Sequence, residues 1–259
     1  MKTIARLSFC LLLLCVGPIA CSQGGENPGP SIAGLDGKRV GLLEGSTDAA
    51  VLWSKLSGFT MLYFMTVNDL VNAVRSGSVD AIVFDIPTLA VIEAGNPGLM
   101  LIREKLQDAN YALAVHKNNA RLAEQVDVIL RELNQDGTLK RLHAKWITGP
   151  EAERVLPQVP PGGNGVLRYG VADIGRPFVY QDAEGKLIGF DIELGMIIAH
   201  KLGLQFHPQE FVYAHLVQAV VNNLVDIAGT AISVTPEREQ EVKFTTPYFR
   251  SGSAAMIRR

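Results

Sequence analysis

Residues 70–82 read LVNAVRSGSVDAI, and residues 216–228 read LVQAVVNNLVDIA. Both carry Leu-Val-x-Ala-Val, and both place a Val-Asp pair at the same later spacing. In each stretch apolar residues recur at helical spacing, then a polar break precedes a short apolar run. Each therefore reads as a helix feeding a buried strand. Any α/β protein contains such units, so the shared spacing carries more weight than the alternation. Two copies predict two sheets built on one plan, and two α/β lobes enclose a cleft, where ligands most often sit.

Working outward, the rest of the chain alternates strand and helix. KRVGLLEG (38–45) reads as a strand entering a turn, and STDAAVLWSKL (46–56) as a helix opened by Ser46 or Thr47. TMLYFM (60–65) is a strand, and VDAIVFD (79–85) is nearly all apolar, as a buried parallel strand is. YALAVHK (111–117) is a strand, and residues 120–146 form two helices split at Asp136-Gly137. A proline- and glycine-rich stretch without apolar period, 149–165, is a linker. Beyond it come the strand VLRYGVAD (166–173), a hairpin through Glu184-Gly185 and the helix IELGMIIAHKLG (192–203). The strands LQFHPQEF (204–211) and VDIAGTAI (225–232) flank the second repeat helix. This alternation indicates parallel sheets with helices on their faces.

Composition allows two modest cores: 259 residues, 47% hydrophobic and 19% charged. A formal net charge of -2 offers nothing to attract nucleic acid. All three cysteines, Cys10, Cys15 and Cys21, precede the body, which therefore has no disulfide and no thiolate metal site. The histidines show no metal-ligand spacing, so neither metal nor cofactor is expected. The N-terminus pairs a basic start, MKTIAR, with the apolar run LSFCLLLLCV (7–16). That run is short of the roughly 20 residues that cross a bilayer, and it suits the core of a secretory signal, residues 1–20. A Gly/Pro/Ser tether, 21–34, follows.

The chemistry concentrates in TAISVTPEREQEVKFTTPYF (230–249). Thr235 is an N-cap, Pro236 takes the first helical position, and Ser233 lies just upstream. Free N–H groups there suit an anion, and Arg238 adds a planar fork that fits a carboxylate. LEGST (43–47) is a second strand-to-helix turn with hydroxyls. Asp85 closes the strand DAIVF where its edge meets the cleft, an anion placed for a cation. An arginine and helix ends for a carboxylate, with an aspartate for an ammonium, describe an α-amino acid pocket. Taken singly, a capped helix with a solvated arginine is the commoner reading of such a motif; the combination is what points to a pocket.

RPFVYQDAEGKLIGFDIELGMIIAHKLG (176–203), AISVTPEREQEVKFTTPYF (231–249), LDGKRVGLLEGST (35–47), LVNAVRSGSVDAIVFDIP (70–87) and LNQDGTLKRLHAKW (133–146) resemble one family. It is the polar amino acid class of periplasmic solute-binding proteins, the extracellular family 3 receptors of ABC importers. The resemblance covers residues 35–148 and 166–259. In that family the PFVY segment is N-terminal and GTLKRLHAKW ends the chain; here the second half comes first. The resemblance implies an α/β, two-lobed periplasmic-binding-protein type II fold in circularly permuted order, each lobe a mostly parallel sheet flanked by helices. The smaller lobe would be 35–108 and the larger 109–148 with 166–259, with 149–165 as the permutation linker. One covalent crossing near LQDANYAL (106–113) would remain, the other becoming two free ends, with a softer hinge.

By the same resemblance Arg238 clamps a ligand α-carboxylate, helped by Ser233 and the N–H groups of Ser46 and Thr47. Asp85 takes the α-ammonium, with Asp173 beside it. Tyr213 stands at an aromatic wall, and Phe178 follows the proline of the signature. Ala231 replaces a usual hydroxyl or glycine. The segment between Asp173 and Pro177 is one residue short and lacks the aromatic that covers the ligand; Arg176 in it either reaches an acidic ligand side chain or is a solvated loop arginine. PIAC (18–21) resembles a lipoprotein cleavage box with Cys21 lipidated, although Pro18 departs from the usual leucine, so secretion with cleavage after Ala20 stays open. The implied protein is a non-enzymatic, monomeric, lipid-anchored receptor of the periplasm or cell surface. It would deliver an amino acid or similar small polar solute to the membrane permease of an ABC importer. The alternatives are a dehydratase-type enzyme on this fold, with Glu44, Asp85 and His215 as acid and base, and a ligand-sensing module for a membrane partner.

Overall fold

The computed structural model describes residues 30–160 and 162–259. The expected signal peptide, Cys21 with its anchor, the first part of the tether, and Pro161 of the linker lie outside the described residues. The first half of the chain gives β1 (Arg39–Leu43), α1 (Asp48–Lys55), β2 (Thr60–Phe64), α2 (Val67–Ser76), β3 (Ala81–Asp85) and α3 (Ile86–Gly95). Next come β4 (Leu99–Tyr111), β5 (Ala114–His116), α4 (Ala120–Gln135) and α5 (Thr138–His143). After the linker follow β6 (Val166–Val171), the hairpin β7 (Tyr180–Gln181) and β8 (Leu187–Ile188), α6 (Phe190–Lys201) and β9 (Gln205–Glu210). The last elements are α7 (Leu216–Val221), β10 (Ile227–Ala228), α8 (Pro236–Glu239), β11 (Val242–Phe244) and β12 (Phe249–Arg258).

Two five-stranded sheets form, in the orders β2-β1-β3-β12-β4 and β9-β6-β10-β5-β11. The repeat units named above occupy equivalent places: α2 leads into β3, and α7 leads into β10, each the middle strand of its sheet. The equivalence extends to side chains. Arg39 donates from its backbone N–H and Nε to Asp80 Oδ2, and from Nη2 to Oδ1. Arg168 makes the same three bonds to Asp226. Each pair ties the start of one parallel strand to the turn before the next, and the two aspartates are those of the repeated Val-Asp.

Each sheet is mixed rather than mostly parallel. β1 runs parallel to β2 and β3, while β12 is antiparallel to β3 and β4. In the second sheet β6 is parallel to β9 and β10, and β5 is antiparallel to β10 and β11. The antiparallel strand arrives in both cases directly from the other lobe, without a crossover helix, so nothing forces it parallel.

Strand β12 also corrects the expected division at 108/109 and 259. Residues 249–258 lie inside the first sheet, with Ala254, Ala255 and Met256 at 2%, 0% and 0% exposure. The chain thus crosses between lobes twice, after β4 and after β11. The expectation of a single crossing with two free ends is wrong, and the softer hinge that depended on it goes with it. The crossings are laced together by Ala112 N–H to Ile232 O (3.1 Å), Thr245 N–H to Leu113 O (3.0 Å) and Tyr248 N–H to Tyr111 O (2.9 Å).

Helices cover both sheets through regular apolar stripes. Thr66 Oγ1 accepts the Asp69 N–H at 3.1 Å to open α2, whose Leu70 and Val74 are fully buried, and Gly77 in the left-handed region (φ 84°) ends it. α4 buries Ala123, Val126, Leu130 and Leu133. At the linker, Lys145 Nζ and Trp146 Nε1 both donate to Glu193 Oε2 of α6 at 2.6 and 2.7 Å, which anchors the strap to the larger lobe.

Candidate functional site

The carboxyl ends of β1 and β3 open onto the gap between the lobes, the usual place for a site in such sheets. Asp85, last residue of β3, accepts a hydrogen bond from the Tyr111 hydroxyl of the crossing strand. Burial raises its carboxyl, the Tyr111 hydrogen bond and Arg238 oppose the rise, Asp48 and Asp191 add to it, and the net result is about 7. Asp48 begins α1, is 5% exposed, and accepts from Gln107 Nε2 at 2.9 Å. Burial is also the main cause that raises its carboxyl above the usual range. Tyr213 and Ser233 of the larger lobe face these groups across a cavity of about 10 Å³, the room of one water molecule. The Ser46 and Ser253 hydroxyls that line it are buried without a hydrogen-bond partner. Two larger interlobe chambers, of about 530 and 550 Å³, meet at Asn68 and Asp173, and Tyr213 lines both the first of them and the inner cavity.

Arg238 joins the lobes. Its position follows from the local sequence: Thr235 Oγ1 accepts the Arg238 N–H at 3.3 Å, so the one-turn helix α8 aims the guanidinium back over residue 233. Nη1 donates to Ser233 O and Nη2 to Gly45 O of the smaller lobe, both at 2.8 Å. Gly45 has φ 82°, and a Cβ there would lie 2.6 Å from Ala214 Cα. The lobes are therefore in backbone contact beside the arginine. Two buried carboxylates, an amide and several hydroxyls line one enclosed volume, and the guanidinium is bonded to the carbonyl of Ser233 on its wall and to that of Gly45. Among the described residues no group of His, Cys, Asp or Glu is arranged to hold a metal ion, and no helix is long and apolar enough to cross a membrane.

Residues 167–259, which include Ser233, Arg238 and Tyr213, match the family of bacterial extracellular solute-binding proteins, family 3. The match covers 93 of the 259 residues. The arginine-binding periplasmic protein of Mannheimia haemolytica is 26% identical over 117 residues, 43% of this chain and 49% of that protein. A probable amino-acid ABC transporter-binding protein of Haemophilus influenzae is 33% identical over 92 residues, 36% of each chain. The cyclohexadienyl dehydratase of Pseudomonas aeruginosa is 32% identical over 89 residues, 34% of this chain and 33% of that enzyme. The chain thus spans between a third and a half of the length of these curated relatives. Binding proteins predominate among them.

Within the family 3 frame, the structure brings Arg238, Ser233, Asp85, Ser46, Thr47 and Tyr213 to one place. Four expectations need correction. The Ser46 N–H is already spent on Leu43 O at 3.1 Å, within the turn, so that residue offers its hydroxyl instead. Asp173 lines the outer chambers and not the inner cavity, because the Asp173–Gly175 turn folds its carboxylate onto the Gly175 N–H at 3.0 Å. Phe178 is fully buried in an aromatic cluster with Tyr111, Phe190 and Phe249, and so belongs to the core. Arg176 pairs with Glu151 of the linker and sits 4.7 Å over the Tyr180 ring, on the wall of the second outer chamber and not of the inner cavity. The enzyme constellation also fails to assemble, since Glu44 and His215 are exposed and only Asp85 faces the cavity.

Sequence reasoning missed Asp48, Gln107, Ser253 and Asp191. Asp191 is fully buried below the ligand loop, and its Oδ2 accepts the Ala231 N–H at 3.0 Å. Ala231 has φ 44°, so Asp191 holds a backbone turn that a glycine would adopt more easily. Burial raises Asp191 to about 7 as well. A signal for it existed: an aspartate in the apolar GFDIELG must be buried with a partner.

Proposed function

We propose that this chain is an exported, lipid-anchored receptor that captures an amino acid or similar small polar solute between its lobes for an ABC importer. The observation that carries this is that Arg238, which lies in the segment matching family 3, bonds across to the Gly45 carbonyl of the other lobe, beside the cavity lined by Asp85 and Asp48. The guanidinium fork suits an α-carboxylate and Asp85 an α-ammonium. An inner cavity of about 10 Å³ has no room for an amino acid, so capture requires the lobes to part and reclose. Arg238, now bonded to two carbonyls that span the lobes, would exchange one of them for the ligand. We take Arg176 out of the ligand-specificity role, which leaves more acid than base around the cavity and disfavours a ligand with an acidic side chain.

The circular permutation belongs to the same reading. Pro30, Ser31, Gly34 and Leu35 line one cavity of about 280 Å³ with Ile257 and Arg258, so the segment that opens the first lobe and the end of β12 lie side by side. Cutting the chain between such neighbours, while the linker 149–165 joins the family's usual ends, leaves the sheet order intact. Cys21 as the lipid-bearing residue, the ABC permease as partner and a monomeric state are parts of the same proposal.

A thermal-shift and calorimetric screen of amino acids against the wild type and Arg238→Ala tests it. Loss of the arginine strands a buried carboxylate and should weaken binding by about 3 kcal/mol or more, over a hundredfold. An amino acid that binds both proteins within tenfold would refute the site. A second reading has one observation behind it: Asp85, pushed to about 7 and bonded to Tyr111, has the protonation behaviour of a general acid, and one relative is a dehydratase. Turnover of a cyclohexadienyl substrate would favour it.

A further inference from the structure

A cavity of about 570 Å³ lies on the larger lobe, away from the interlobe chambers, where α4, α5 and the start of β12 meet. This volume falls within the range of small-ligand pockets. Its rim carries Arg131 from α4, Lys140 and His143 from α5, and Arg250 from β12. No carboxylate lines it, and among the described residues none of these four side chains forms an ion pair. The nearby acids are occupied: Asp127 accepts the Thr246 N–H at 2.6 Å, and Glu132 pairs with Lys201 at 2.9 Å. In a chain of net charge -2, three unpaired cationic side chains, Arg131, Lys140 and Arg250, around one concavity form a local positive field.

The floor is aromatic. Phe190, Tyr248 and Phe249 line the cavity, and the His143 ring stacks on Phe249 at 5.5 Å and 17°. Spacing on α5 explains the arrangement: Lys140 and His143, three apart, share the face that looks toward β12. A planar group can lie against this floor while its charge meets the rim.

We infer that this cavity is a second binding site, separate from the interlobe cleft, for a small polyanion bearing a planar ring, such as an aryl phosphate. Charge selects the anion, and the ring distinguishes it from inorganic phosphate. The site also touches the hinge. Phe249 stacks on Tyr111 at 5.9 Å, and Tyr111 donates to Asp85, so an occupant here is two side chains from the cleft.

The test is calorimetric titration of the protein with phenyl phosphate, with inorganic phosphate and benzoate alongside. Saturable binding of phenyl phosphate is expected, tighter than either comparison compound and weakened by added salt. Arg131→Gln and Lys140→Gln, both on exposed side chains, should each weaken it by roughly tenfold, the loss of one charge-assisted contact. Arg238→Ala should leave it unchanged. Loss of phenyl phosphate binding in Arg238→Ala would place the anion in the cleft and overturn the inference. So would an absence of saturation, or wild-type affinity in both rim variants. An acidic peptide that binds more tightly than phenyl phosphate would overturn it too, making the surface a protein-docking face.

Discussion

Ligand affinity should rise with pH, and Asp85 sets how steeply. Its carboxyl titrates at about 7 because it is buried, with Asp48 and Asp191 adding to the effect. An ammonium bound beside it favours the ionised form, so binding below that value must expel a proton. Each pH unit below 7 then costs about 1.4 kcal/mol, a tenfold loss of affinity. Between about pH 8 and pH 5.5 the ionised fraction of such a group falls from about 0.9 to 0.03, which predicts a loss of about thirtyfold, or about 2 kcal/mol. The free amino acid keeps both charges across this window, so the dependence belongs to the protein. Asp48, shifted in the same direction, can only steepen it. Calorimetry at about pH 6 in buffers of different ionisation enthalpy should report close to one proton released per ligand bound. Asp85→Asn should bind weakly and without this slope. An affinity constant within twofold from pH 5.5 to 8, with no proton release, would refute the assignment of Asp85 to the ammonium. The unliganded protein should behave in the opposite way. Asp85 and Asp191, both at about 7, hold protons that the unfolded chain gives up, so stability should fall as pH rises from the ordinary carboxylate range through 7.

Gly45→Ala should block closure without unfolding either lobe, because the new Cβ would sit 2.6 Å from Ala214 Cα; a ligand-induced decrease in radius of gyration by X-ray scattering should occur in the wild type and vanish in the variant. Arg176→Ala should leave ligand affinity within about twofold, since the side chain engages Glu151 and Tyr180. Met256→Ala should destabilise by about 2–5 kcal/mol in urea unfolding, because Met256 is fully buried in the middle of the first sheet; a loss below about 1 kcal/mol would mean that β12 is not a core strand.

Much of the frame was legible in local pattern. The repeated Leu-Val-x-Ala-Val with Val-Asp located two equivalent helix–strand units, and Asp136-Gly137 and Glu184-Gly185 marked real turns. Thr235-Pro236 correctly placed the start of α8, and with it Arg238. The helix at 86–95 and the long strand at 99–111 went unread. The helix is apolar all round, with no polar face to reveal its period, and the strand carries REK in its middle, which masks alternation. Asp48 is an acid in the first turn of α1, a position that says nothing of burial; its partner Gln107 is 59 residues away.

The sequence by itself determined the alternation of elements, the twofold plan, the capped turn that bears Arg238, and a resemblance to family 3 solute-binding proteins over 35–148 and 166–259, of which the family comparison matches 167–259. These follow from residue spacing and from groups near one another in the chain. Tertiary structure alone decided that RSGSAAMIR is a central strand and that Phe178 is core. It also turned Arg176 to Glu151 and brought Arg238 to the Gly45 carbonyl, a contact spanning 193 positions. Such outcomes depend on how two sheets sit edge to edge, and a one-residue change of register or a few degrees of lobe rotation would alter them while every local signal stayed the same.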